Sequence, residues 1–304
     1  MTEKPHVCVC ICTYKRPWLL RALLRALEGQ ETGGRFSYSI SIADNDRSGS
    51  ARQVADARAL QSKVDIRYDI EPEQNIALAR NRTIANSRGD FVALIDDDEL
   101  PGPDWLLNLY KAVALFETAG VLGPVIPRYE APPPRWVKRG RFFERPSFFS
   151  AYFLNWRLTR TGNCLLRRSL FKDGDDWFRP EFGSGGEDRD FFKRMIAKGH
   201  VFVWCDEAPV FESVPSERWA LNIMLKRALL RGKMTYSSRK NDLKDILSSP
   251  FLLTAYSLGL PFLLAFSPVF GYETFVKDLV KSADHLGKLL ALFRIYPVKE
   301  RYIV

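Results

Sequence analysis

The chain has 304 residues, of which 46% are hydrophobic and 27% are charged, a composition typical of a globular protein with one large domain or two. Five cysteines and three scattered histidines give no support to a disulfide framework, a zinc site or a Cys-His dyad. The net charge of +9 is uneven, because residues 217–304 hold 14 lysines and arginines against seven acids.

The start of the chain predicts a cytoplasmic protein. Met1–Pro5 is polar, and the first apolar run, Val7–Ile11, is too short for the core of a secretory signal peptide. We therefore expect the chain to begin in the cytoplasm, with its cysteines reduced and packed as small hydrophobic residues.

Short strands alternate with helices over the first hundred residues. His6–Cys12 is rich in β-branched residues and cysteine, and Pro17 opens a helix whose leucines repeat on one face. The alternation continues with strands predicted at Tyr38–Ala43, Val64–Tyr68 and Phe91–Ile95, and with helices predicted at Ala51–Leu60 and from Asn75 to Gly89. Such alternation forms right-handed βαβ units, so we predict an α/β, Rossmann-like fold with a mostly parallel central sheet flanked by helices.

Four consecutive acids, Asp96 to Glu99, follow the apolar strand Phe91–Ile95 directly. In open α/β sheets, ligands bind at the carboxyl ends of the strands. Carboxylates this close together repel one another unless a cation neutralises them. A divalent metal site and an acidic, solvated turn are both consistent with the pattern.

Other polar residues follow the neighbouring strands. Thr13 and Tyr14 offer a hydroxyl and an aromatic face, Asp44 can accept hydrogen bonds from a base or a ribose, and Arg16 or Arg80 can bind phosphate. Each has a plainer explanation when taken singly, such as an Asx turn at Asp44, but together they favour one nucleotide pocket. The chain has no Gly-x-Gly-x-x-Gly and no Walker lysine loop, which disfavours a dinucleotide or P-loop enzyme.

These residues belong to an ordered set of motifs that resembles the family 2 glycosyltransferases. The motifs cover about residues 5–218 in this order: Cys12-Thr13-Tyr14-x-Arg16-Pro17, Ala43-Asp44-Asn45-Asp46, Asn75 to Asn81, Asp96 to Glu99, Val121 to Val125, Pro134-Arg135-Trp136, Thr161 to Arg168, and Gly185 to Phe192. The later motifs look most like those of succinoglycan-type exopolysaccharide glucosyltransferases, which add one sugar to a lipid-linked oligosaccharide. The resemblance implies a GT-A fold, a nucleotide-diphosphate sugar donor, Mg²⁺ or Mn²⁺, and inversion at the anomeric carbon.

The resemblance also implies roles for single residues. Asp188 would be the general base and Asp98 the metal ligand. Nucleotide binding would fall to Thr13, Tyr14, Arg16, Asp44, Arg80 and Asp96, and contacts with the sugar or the acceptor to Gly162, Asn163, Gly186 and Glu187. Glu187 and Asp188 also open an apparent helix, where the helix dipole favours acids whatever the function. Many relatives place a histidine where Glu212 stands.

Residues 217–304 predict membrane association. A basic amphipathic helix begins near Trp219 and is of the kind that lies on an anionic membrane. Ile246–Tyr272 carries no charge over 27 residues, but Pro250, Gly259, Pro261 and Pro268 should break it and both flanks are basic, so we predict a re-entrant or interfacial helical hairpin rather than a span. A buried helical subdomain is the alternative. Nucleic-acid binding is disfavoured, because the aromatic residues here form an apolar face.

The prediction therefore divides the chain at residue 216. Residues 1–216 form the glycosyltransferase domain, with a nucleotide-sugar half at 1–100 and an acceptor half at 101–216, and residues 217–304 form the membrane-associating region. Between the halves, Tyr129–Ser150 is rich in proline, arginine and aromatic residues and is either a flap over the acceptor or a surface insertion.

The predicted activity is the inverting, metal-dependent transfer of a single hexose onto a lipid-linked glycan in bacterial exopolysaccharide synthesis. Glucose from UDP-glucose is the favoured donor, and the enzyme would act at the cytoplasmic face of the inner membrane, as a peripheral or monotopic protein. Single transfer is favoured because the Gln-x-x-Arg-Trp motif of processive synthases is absent, with Arg218-Trp219 following Pro215-Ser216-Glu217 instead. The alternatives are a lipopolysaccharide core glycosyltransferase and a catalytically inactive sugar-binding scaffold subunit.

Overall fold

The computed structural model describes residues 4–172, 177–183, 185–238 and 243–298, and the chain divides into two compact units. The first unit comprises Met1–Arg128, Arg145–Gly183 and Glu187–Ser213, and the second comprises Tyr129–Glu144, Ser184–Gly186 and Val214–Val304. The segment Tyr129–Ser150 is thus split between the two units.

The first unit is built on a seven-stranded sheet. Its strands, numbered in chain order, are β1 (His6–Thr13), β2 (Ser37–Asp44), β3 (Ile66–Ile70), β4 (Phe91–Asp96), β6 (Gly120–Leu122), β8 (Asn163–Arg167) and β9 (Phe202–Trp204). They lie in the order β3-β2-β1-β4-β8-β6-β9. All neighbours are parallel except that β8 runs antiparallel to both β4 and β6. The prediction of a mostly parallel central sheet is confirmed.

A smaller, three-stranded sheet begins at Glu99, the last of the four consecutive acids. Its strands are β5 (Glu99–Pro101), β10 (Val210–Val214) and β7 (Val125–Tyr129), in the order β5-β10-β7. β5 and β10 are antiparallel, and their register sets Glu212 opposite Glu99. The tight turn from β4 into β5 therefore holds the four acids between two sheets.

The alternating pattern of β1 explains why it lies at the centre of the large sheet. Val7, Val9 and Ile11 pack into the core on one face, while Cys8 and Cys10 pack into the core on the other. A strand whose residues are buried on both faces must be covered by helices on both faces. All five cysteines are free thiols, as expected.

Five helices belong to the first unit: α1 (Pro17–Glu28), α2 (Arg52–Gln61), α3 (Ile76–Ala85), α4 (Trp105–Leu115) and α6 (Glu187–Ala197). The leucines predicted to share one face of α1 are fully buried. The prediction that α3 extends to Gly89 was wrong, because that glycine has φ +104° in the turn before β4, and a Cβ there would lie 2.5 Å from the His6 carbonyl oxygen. α3 itself starts where the Asn75 side chain accepts hydrogen bonds from Ala77 N and Leu78 N.

The second unit is helical. Its helices are α5 (Arg135–Gly140), α7 (Leu221–Ser238), α8 (Leu243–Ala265), α9 (Ser267–Phe270) and α10 (Tyr272–Leu292), and α10 packs against both α7 and α8. Pro250 and Pro261 lie inside α8 and do not break it, contrary to the prediction. Both prolines are on the exposed surface, so each removes one backbone hydrogen bond without displacing a packed neighbour.

Candidate active site

The four acids lie at the carboxyl end of β4, beside the end of β1, and three of them, Asp97, Asp98 and Glu99, are buried. Asp96 is the last residue of β4 and is paired in register with Cys12 of β1. Asp97 is 1% exposed, and Glu99 has no exposed surface. An acidic, solvated turn is therefore excluded, and the charge of these acids must be balanced locally.

Arg16 and Thr13 balance two of the acids. The Arg16 guanidinium forms an ion pair with Asp97 and a second one with Asp98, at 3.3 Å from Asp98 Oδ2. The Thr13 hydroxyl donates to Asp97 Oδ2 at 2.7 Å. Burial raises the pKa of Asp97 to about 7, in spite of the opposing charge of Arg16.

Arg80 joins the acids to the start of α6. Its buried guanidinium pairs with Glu187 and lies 3.3 Å from Asp96 Oδ1. Glu187 is 4% exposed, whereas its neighbour Asp188 is partly exposed and its Oδ1 accepts a hydrogen bond from Arg189 N. The two adjacent acids therefore have different surroundings. Glu187 forms a buried ion pair, whereas Asp188 is partly exposed to solvent.

A third arginine lies on the side of the acids that faces β10. Arg145 pairs with Glu212 at 2.5 Å and lies 3.9 Å from Glu99 Oε1. Gly162 packs against the same carboxylate, because a Cβ at this position would lie 2.6 Å from Glu99 Oε1 and 3.2 Å from Asp96 Oδ2. Burial, and secondarily the charge of Asp96, raises the pKa of Glu99 well above its usual range.

The protonated Glu99 predicts a stability that falls as the pH rises. The folded state retains a proton that the unfolded state loses above a pKa of about 4.5, so each pH unit up to the raised folded pKa costs as much as about 1.4 kcal/mol. Glu99→Gln keeps a neutral side chain and removes this cost. In EDTA, the free energy of unfolding should fall less between pH 8 and 9 in Glu99→Gln than in wild type, a range in which Asp97 is already mostly ionised.

The exposed Glu31 supplies a matched control for this experiment. Glu31→Gln should follow the wild-type pH dependence, because the Glu31 side chain stays hydrated when the protein folds. Identical pH dependence in wild type and Glu99→Gln would contradict a protonated Glu99.

Two predicted contact residues are buried by the fold. Asn163 has no exposed surface, and its amide accepts a hydrogen bond from Trp105 Nε1 and donates to the Pro124 and Ala208 carbonyls. It ties β8 to its surroundings, and because the side chain is fully buried with both amide N–H groups engaged, a sugar does not reach it in this conformation. Asp44 is equally buried and accepts hydrogen bonds from Asp46 N, Ala51 N and the Tyr68 hydroxyl, which leaves one lone pair of Oδ1 for a further donor.

The other predicted residues divide between the two units. Eight belong to the first unit and lie at or beside the acids: Thr13, Tyr14, Arg16, Arg80, Asp96, Asp98, Gly162 and Glu187. Asp188 belongs there too, and Gly186 belongs to the second unit. The sequence prediction missed Arg145, Arg160 and the burial of Glu99. Of these three features, only Arg160 could have been suspected from the sequence, because it directly precedes the Thr161-Gly162 motif.

The carboxylates fit a divalent cation that is held jointly with a diphosphate. Among the described residues, no group of three His, Cys, Asp or Glu side chains is arranged to hold a metal by itself. Mg²⁺ in nucleotide sites takes only one or two carboxylates from the protein, because phosphate oxygens and water supply the other ligands. The Asp96 side chain is 42% exposed, and Asp98 is the next most accessible of the three aspartates. Both are hard oxygen donors of the kind such ions prefer.

The fold is that of the GT-A glycosyltransferases, and solved structures share it. A mannosyltransferase of Pyrobaculum calidifontis, PcManGT, in complex with GDP-Man and Mn²⁺, matches with a TM-score of 0.63 at 15% identity, covering 96% of this chain and 88% of that one. S. aureus TarS 1-349 in complex with UDP-GlcNAc matches with a TM-score of 0.54 at 14% identity, covering 96% of this chain and 93% of that one.

Sequence comparisons establish the family. The model of glycosyl transferase family 2 matches residues 8–179, more than half of the chain. The succinoglycan biosynthesis protein ExoM of Rhizobium meliloti (strain 1021) is 36% identical over 232 residues, which cover 76% of this chain and 74% of that protein. The chain therefore belongs to glycosyltransferase family 2.

Proposed function

We propose that this protein transfers a single hexose, with inversion, from a nucleotide-diphosphate sugar to a lipid-linked glycan in bacterial exopolysaccharide synthesis. UDP-glucose is the favoured donor and Mg²⁺ or Mn²⁺ the cofactor. The observation that carries the proposal is the pairing of Arg16 and Arg80 with the acids at the end of β4, together with the partly exposed Asp188, which directly follows the Arg80 partner Glu187. The similarity to a succinoglycan biosynthesis protein supports the pathway.

In this proposal, Asp188 is the general base. An alcohol is a weak nucleophile until a carboxylate takes its proton in the transition state. Asp188 lies in the first turn of α6, where a backbone hydrogen bond from Arg189 N orients one carboxylate oxygen. The other oxygen is then available to accept the proton of the acceptor hydroxyl, and a single base on that side of the sugar gives inversion.

The remaining residues bind and orient the donor. Thr13, Tyr14 and Arg16 surround the nucleoside, and Arg80, already held by Asp96 and Glu187, approaches the phosphates. Asp98, with Asp96, would hold the divalent cation, which stabilises the negative charge of the departing nucleotide diphosphate. Gly162 keeps the space beside Asp96 and Glu99 clear of a side chain.

Donor binding and hydrolysis test this proposal directly. Purified protein is titrated with UDP-, GDP- and dTDP-sugars with Mn²⁺ and with EDTA, and release of nucleoside diphosphate is followed over time. We expect one donor to bind in a metal-dependent way and to be hydrolysed slowly in the absence of acceptor. Failure of every donor to bind would overturn the transferase and leave a sugar-binding scaffold subunit as the better account.

We also propose that the second unit attaches the protein to the cytoplasmic face of the membrane. Ser248–Ala265 is long and apolar enough to cross a bilayer, with a mean hydropathy of 1.3, and only 6% of this window is buried. Such exposure argues against the alternative of a buried helical subdomain. Phe262, Phe266 and Phe270 are each about half exposed, and their rings lie together between the end of α8 and α9. This phenylalanine cluster is the part that we expect to enter the lipid.

Replacing the phenylalanine cluster should weaken membrane binding. The variant Phe262→Ser/Phe266→Ser/Phe270→Ser removes three aromatic side chains from the lipid, and the partition coefficient for anionic vesicles should fall by at least about tenfold. Cosedimentation with phosphatidylglycerol-containing vesicles measures the coefficient. Phe153→Ser, which removes a comparably exposed phenylalanine from the first unit, is the control and should bind as wild type does. Equal binding by the triple variant would contradict insertion of this cluster.

A further inference from the structure

Arg160 lies at the edge of the site and has no role in the proposal above. It stands two residues before Gly162, whose α-carbon packs against Glu99 and Asp96. The charges that act on Arg160 include those of Arg145, Asp188 and Glu99. The guanidinium of Arg160 is therefore within electrostatic range of both the candidate base and the acid-rich turn.

The bonding of Arg160 differs from that of the other arginines of the site. Arg16, Arg80 and Arg145 each form ion pairs with two carboxylates. Arg160 is partly buried, and within the described ranges, 4–172, 177–183, 185–238 and 243–298, it forms no hydrogen bond or ion pair. A guanidinium that loses hydration without gaining a partner lowers stability, so the fold alone gives no reason to keep one there.

The surroundings of Arg160 favour an anion. Burial, together with the charge of Arg145, lowers the pKa of Arg160 to about 10, so it remains protonated at neutral pH. Arg145 is already engaged with Glu212. Among the arginines described at the site, Arg160 is therefore the one whose N–H donors are not engaged by a carboxylate, although the charge of Asp188 also acts on it.

We propose that Arg160 anchors a diphosphate by donating hydrogen bonds to its phosphate oxygens. This inference rests on the proposed function, which brings two diphosphates to the enzyme: that of the nucleotide sugar and that of the lipid-linked acceptor. A guanidinium meets two oxygens of one phosphate with two parallel N–H groups, which a lysine in the same place does not do. A partly exposed arginine without protein partners has its full set of donors available.

The test compares Arg160→Gln with wild type by calorimetry. If the anchored group is the donor diphosphate, affinity for UDP with Mn²⁺ should fall roughly tenfold to 100-fold in Arg160→Gln, while affinity for uridine stays unchanged. If it is the diphosphate of the acceptor, UDP binding should be unchanged, and affinity for a polyprenyl diphosphate in detergent micelles should fall by the same factor. Arg160→Lys should recover only part of either loss.

Two further measurements separate binding from folding. Arg157→Gln removes a neighbouring exposed arginine that stacks on Trp156, and it should leave both affinities unchanged. The thermal unfolding midpoint of Arg160→Gln should equal or exceed that of wild type, because an unpaired charge is removed. A wild type that binds no UDP would overturn the proposed function itself. A wild type that binds UDP and polyprenyl diphosphate no better than Arg160→Gln would overturn only the anchor.

Discussion

Asp188→Asn is expected to lower kcat by roughly 10²- to 10⁴-fold and to leave donor affinity within about threefold of wild type. The amide keeps the shape of the side chain and can still accept the hydrogen bond from Arg189 N. It cannot take a proton from the acceptor hydroxyl. The loss should therefore appear in turnover and not in the binding of the nucleotide sugar, measured by steady-state kinetics and by calorimetry.

The adjacent acid provides a sharp comparison. Glu187→Gln weakens the buried ion pair with Arg80, so it should lower the free energy of unfolding and disturb donor binding. Glu181→Gln changes an exposed acid six residues earlier and should alter neither property. Wild-type turnover in Asp188→Asn would show that another group takes the proton. A large loss of donor affinity in this variant would instead make Asp188 a binding residue.

Local periodicity explains which parts of the fold could be predicted. The strand at His6–Cys12 and the leucine face of α1 depend on neighbours along the chain, and both predictions were confirmed. The parallel arrangement followed from alternation of strands and helices, and the meeting of polar residues at one edge followed from the sheet. The structure ends α3 at Ala85, before the predicted end at Gly89. Gly89 instead lies in a turn that packs closely against His6, a residue distant in sequence, so no local pattern indicated it.

The pairing within the site depends on contacts that the sequence does not encode locally. Arg16 and Asp98 are 82 residues apart, and Arg80 and Glu187 are 107 apart. Nothing in the local pattern assigns one arginine to one acid, or shows that Glu99 is buried and neutral. Asn163 illustrates the same limit. A polar residue in a glycine-containing motif predicts a ligand contact, but the Asn163 amide forms hydrogen bonds with Trp105 and with two backbone carbonyls inside the core.

Asp98→Ala is expected to abolish the metal dependence of donor binding. With Mn²⁺ present, affinity for the nucleotide sugar should fall by at least about 100-fold, because loss of a direct ligand costs more than the 10- to 100-fold typical of residues behind the ligands. In EDTA, wild type and variant should bind with similar, weak affinity. Titration of the donor at several Mn²⁺ concentrations measures both quantities.

The choice of Asp98 over Asp97 follows from their surroundings. Asp97 is fully buried, accepts a hydrogen bond from the Thr13 hydroxyl and forms an ion pair with Arg16. Its carboxylate therefore stabilises the turn and is not available to a cation. Asp104→Ala removes an exposed aspartate that makes no cap hydrogen bond at the start of α4, and it should leave metal dependence intact. If Asp98→Ala keeps its metal dependence and Asp96→Ala loses it, the cation is held by the more exposed acid next to Arg80. The diphosphate would then bind on the α6 side of the turn, nearer to Asp188.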